Sequence, residues 1–172
     1  MASLMENLIS VLEEEGKTYG ELLELSMKKT PIIVGGDLEG LQRITDEEQI
    51  VVARINRLDA KREEVTRDIA NVLNKDVTKL KLVDIIQMLS QRPVEQKQLA
   101  AAHDKLKEVV GQMARINEQN RDLIQSSLEM VEFDLNLIQS MKSAPQTANY
   151  NRGAYSQGAF MGRSRGGFDA KQ

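Results

Sequence analysis

The feature that most limits what this chain can become is a long run, from Pro93 to Lys142, with no internal proline. Along it Leu99, Leu106, Val110, Met113, Asn117, Asn120, Ile124, Val131, Ile138 and Met141 return at intervals built from three and four residues, the signature of one helix face. His103, Ser127 and Asp134 are the weak positions of that stripe, Leu123, Leu128 and Leu135 widen it, and Gly111 is a tolerable cost. At about 1.5 Å per residue such a helix spans roughly 75 Å. Every other element has to be placed against that length.

Two earlier segments carry shorter stripes of the same kind. From Leu4 to Met27, the residues Met5, Leu8, Leu12, Tyr19 and Leu22 mark an amphipathic helix whose rhythm holds if Glu15 is skipped. Thr30-Pro31 predicts its end near Lys29, because proline supplies no N–H and disfavours a helical residue before it. Asp37 predicts a cap for a short turn through Leu38 and Leu41, and Thr45 with Glu48 has capping-box spacing for a second long helix, Asp46 to about Asn74. Val51, Ile55, Leu58, Val65, Ile69 and Val72 form its stripe, with Arg62 the charged residue on it. Thr78 to Leu89 reads as a brief bridging helix before Pro93, a residue suited to a first turn. Beyond Ala144-Pro145, Asn, Gly, Ser, Gln and Arg alternate with isolated aromatics, a composition that cannot build a core. The reading is all-α: an elongated antiparallel bundle or coiled coil of three long helices with short connecting helices in a domain of residues 1–142, then a disordered tail over residues 143–172.

Composition narrows the function classes. Aromatics are 3% with no Trp, which argues against an aromatic-rich β-sandwich, and there is no Cys for disulfides, thiolate metal sites or a thiol nucleophile. The opening MASLMENLISVLEEEGK lacks the early basic residues of a secretory signal, and no apolar run approaches a membrane span, so membrane insertion is not expected. Residues 1–142 hold 19 basic and 25 acidic side chains, and residues 143–172 hold 4 and 1, so an acidic body carries a basic tail. His103 is the single histidine and lacks the Glu-x-x-His spacing of di-iron bundles, so neither a metal nor another cofactor is expected. Glu13-Glu14-Glu15 and Glu47-Glu48 read as solvated faces, and no Ser, His and Asp can be grouped for nucleophilic catalysis. The residues point to no enzyme.

Antiparallel neighbours joined by short connections allow the helix lengths to be compared. If Pro93 starts beside Asn74, residues near Arg121 lie beside Asp46, and the apolar stretch from Asp122 to Lys142 passes beyond the first two helices. Burying six of its aliphatic side chains would contribute on the order of 10 kcal/mol before association costs. An uncovered stripe of that size is either a binding surface, with a partner helix as the natural ligand, or a liability. The alternative is a break near Ser126-Ser127 that folds the chain back into a four-helix bundle. Asn117 and Asn120 interrupt the stripe three residues apart, and either fix register inside the bundle or mark where packing gives way to the partner surface. In the tail, Arg163-Ser164-Arg165-Gly166-Gly167-Phe168 has the look of an RNA-binding Arg-Gly-Gly segment, against the plainer reading of a solvated tail.

The whole pattern resembles the FlgN-like family of flagellar export chaperones over most of residues 4–142. The resemblance rests on Tyr19, Leu22, Leu23 and Lys29; on Asp37-Leu38-Glu39 and Leu41; on Glu48, Ile55, Leu58 and Arg62; and on the run Ile116 to Ile124, which looks like the family's N-x-x-N-x-x-L feature through Asn117, Asn120 and Leu123. It implies a cytoplasmic, non-enzymatic chaperone that binds a C-terminal helical segment of hook-associated (hook-filament junction) proteins, prevents premature assembly and delivers them to the membrane export gate. Carried onto this chain, the partner-binding positions would be Leu123, Ile124, Leu128, Val131, Leu135 and Ile138. A monomer or weak homodimer is expected. The rival readings are a structural homodimeric coiled coil and an RNA-binding adaptor acting through the tail.

Overall fold

The computed structural model describes residues 3–143. The chain is all-α: α1 covers Leu4–Val34, α2 Leu38–Val72, α3 Leu82–Met88 followed by a 3-10 turn at Leu89–Gln91, and α4 Pro93–Ser143. It divides into two units, Met1–Ser127 and Leu128–Gln172. The tail readings, disorder and RNA binding alike, lie outside the described residues.

In the first unit, the ends of the helices that meet establish the topology. Leu8, Ile9 and Leu12 from the start of α1 pack with Val65 and Ile69 from the end of α2, with Ile85 and Leu89, and with Leu99 and Ala102 from the start of α4. Thus α2 runs antiparallel to α1, and α4 returns antiparallel to α2. A second apolar cluster joins Leu22 to Val51 and Ile55, with Tyr19, Leu25, Val52 and Met113 against it. The α1–α2 pair packs most closely, backbone to backbone.

Between these clusters lies a polar layer at the position skipped in the α1 rhythm. Glu15 is 2% exposed, and its Oε1 accepts from Arg62 Nε at 3.0 Å, while Arg62 also pairs with Asp59. Glu15 is therefore not on a solvated face. Its other oxygen is buried without a hydrogen-bond partner. Burial raises the Glu15 pKa above its ordinary 4.5, against the pull of Arg62. Burial, and then the neighbouring carboxylate of Glu15, push the Tyr19 phenol upward too.

Three sequence-based boundaries differ from the structure. The first helix does not stop at Lys29 but contains Pro31 and continues to Val34. Proline at that position removes one bond, to the carbonyl of Met27, a residue on the exposed side of the helix. The helix closes instead at Gly36, with φ +66°, where Asp37 N donates to Ile32 O at 3.2 Å and Gly36 N to Ile33 O at 3.1 Å. Nor are there two helix starts after it. Asp37 caps through Gly40 N at 2.9 Å, and one helix runs on through Thr45, whose hydroxyl donates to Leu41 O rather than capping anything. The bridging helix begins at Leu82 instead of Thr78, because Asp76 Oδ1 draws Thr78 N, at 2.9 Å, into a turn.

Candidate functional site

Two regions of α4 were singled out by sequence, and they have different surroundings. The first lies within the first unit, where α4 faces α1 and α2 across an open cleft of about 370 Å³. Leu22, Val52 and Ile124 supply apolar lining, and Lys29, Glu48 and Arg121 supply charge. Asn120 is 4% exposed; its amide donates to Ser26 O at 2.8 Å, and its carbonyl oxygen accepts from Thr30 Oγ1 at 2.6 Å. Across the same layer, Lys29 Nζ donates to Glu48 Oε2 at 2.7 Å and Ser26 Oγ to Glu48 Oε1 at 3.4 Å. These bonds tie α1 to both α2 and α4 at one level, because sliding either helix by a turn would leave buried polar groups unpaired. Asn120 thus sets register. Asn117 sits exposed on the rim of the cleft. Arg121 lines it with Glu48, within a turn of the Asp46 level expected from helix lengths.

Of the six proposed partner-binding residues, Leu123 and Ile124 belong to this unit and are half-buried. Around them the helix is unbroken: α4 continues through Ser126-Ser127, and Ser127 Oγ donates back to Leu123 O at 2.8 Å, a bond a helix interior accommodates. The chain does not fold back there.

In the second unit every residue from Leu128 to Ser143 is exposed. Leu128, Val131, Leu135 and Ile138 are 65, 55, 55 and 47% exposed and fall within an arc of about 80° at 100° per residue. Met130, Phe133, Leu137 and Met141, at 68, 66, 49 and 72% exposed, form a second stripe of similar width, centred about 140° from the first. The sequence reading merged the two, since both obey a three-four spacing. A helical wheel over residues 128–143 alone separates them. Among the described residues no three His, Asp or Glu side chains converge on a metal position, and no helix is long and apolar enough to cross a membrane.

What the fold and this surface define is a class: an all-helical protein whose last helix carries apolar side chains that no described residue covers. A family model described as FlgN protein matches residues 1–157. The chain belongs to the FlgN family of flagellar export chaperones. No curated protein and no solved structure matches it.

Proposed function

We propose that this protein works in the cytoplasm as a non-enzymatic chaperone that binds a C-terminal helical segment of hook-associated proteins, keeps it from assembling early and delivers it to the export gate. The exposed apolar helix from Leu128 to Met141 carries the reading: large aliphatic side chains held in water are costly unless a partner covers them in use. Leu128, Val131, Leu135 and Ile138 form the primary contact stripe, and Leu123 and Ile124 are the half-buried members of the set. Reversibility follows from the chemistry, because the four residues of this stripe are apolar and strand no charge on release.

The test is calorimetric binding of a C-terminal hook-associated peptide to the full chain and to a Leu128→Asp, Leu135→Asp variant. Loss of binding with helix content unchanged is expected; retained binding overturns the site. A structural homodimer would use the same face, and sedimentation with and without the peptide separates the two, since the dimer reading requires a stable pair that ignores the peptide.

A further inference from the structure

We infer that the surface at residues 128–141 is built to hold two partner helices at once, a helix pair with basic edges, rather than one. The inference rests on the proposed chaperone reading and specifies its partner. One packed helix covers a stripe of about 100°, whereas the two apolar stripes here together occupy an arc of about 220°. Leu128, Val131, Leu135 and Ile138 make one seam, closed at its end by Lys142; Met130, Phe133, Leu137 and Met141 make the other. Both are exposed, from 47% at Ile138 to 72% at Met141, so among the described residues neither seam is spent on the chain's own packing.

The polar residues fall where a pair of helices would leave room for them. Glu132, Asn136 and Gln139 lie outside both seams, Gln139 and Glu132 along the border of the first, and Asp134 alone occupies the narrow gap between the seams. A carboxylate in that gap faces the line along which two docked helices approach each other. Residues 128–143 carry Glu129, Glu132 and Asp134 against Lys142, so the complementary partner has Lys or Arg along its helix edges. A helical hairpin, or two terminal helices of one partner packed side by side, has this form.

The experiment uses the full chain and an intact hook-associated protein. Binding is measured for the first-seam variant Leu128→Ser, Leu135→Ser, the second-seam variant Phe133→Ser, Leu137→Ser, and Asp134→Lys, with circular dichroism confirming helix content. Each seam variant is expected to weaken binding by about tenfold or more, and Asp134→Lys to weaken it while leaving both seams intact. Loss from the first seam alone overturns the two-helix inference and leaves the chaperone reading standing. Loss from neither seam overturns both. If the second-seam variant alters only self-association in sedimentation, that seam belongs to a second copy of this chain, and the inference also fails.

Discussion

Leu99 and Leu128 lie on the same helix and obey the same spacing, yet Leu99 is fully buried and Leu128 is 65% exposed. The contrast holds for the regions around them. Before Ser127, apolar positions of α4 meet α1 and α2 in clusters divided by polar layers at Glu15–Arg62 and at Asn120. From Leu128 to Ser143 the stripes are as apolar, yet every side chain, apolar or polar, is exposed. Where helices pack against one another in the first unit, charged and amide groups inside the seam specify alignment; in residues 128–143, by contrast, Glu129 and Glu132 lie off the two apolar stripes and Asp134 lies between them.

Truncation gives the largest test of this difference. Leu99→Ala should cost about 2–5 kcal/mol in urea unfolding through the cavity it leaves, whereas Leu128→Ala should change stability by no more than about 0.5 kcal/mol. Equal costs would erase the distinction. Next, Asn120→Ala should lose about 1–3 kcal/mol, because Ser26 O and Thr30 Oγ1 lose a buried partner. Asn117→Ala, on the exposed rim, should be near neutral in the same unfolding series.

The Glu15 layer is sharpened by pH. Its folded-state pKa lies above its unfolded value, so between the two the folded state binds more protons, and this group makes the chain less stable as pH rises through that window. Glu15→Gln should remove that component and flatten thermal stability above pH 4.5, measured by thermal melts across the acidic range. A slope identical to that of the unaltered chain would show that Glu15 titrates normally. The smallest effect is at Gly16, in the interior of α1, where an added Cβ would meet nothing within 4 Å. Gly16→Ala should raise stability by about 0.5–1 kcal/mol through helix propensity alone, and a loss in the melting temperature would mean hidden crowding in the α1–α2 seam.

Much of the fold was legible because helix periodicity is local. The stripes through Leu8 and Leu12, Ile55 and Ile69, and Leu99 and Met113 needed only spacing to be found, and comparing helix lengths placed Arg121 within a turn of its observed level. What was misread depended on surroundings. Pro31 and Thr45 carry stop and start signals, but a proline one turn from a helix end costs little, and a threonine hydroxyl can bond its own helix. Glu15 resembled a solvated glutamate in a run of three; only Arg62, 47 residues later, makes it a core residue. In the candidate site, the merged stripes were separable by angle, while the half-burial of Leu123 and Ile124 was not, since it depends on which residues of α1 and α2 lie opposite.

By itself the sequence determined the all-helical class, the three long segments and the apolar character of residues 128–141, since each follows from side-chain period and composition along one stretch of chain. Only the tertiary structure decided which of those apolar and polar positions are buried. Burial is a property of pairs distant in sequence, and Glu15 with Arg62 and Asn120 with Ser26 exist as pairs only once three helices share a register.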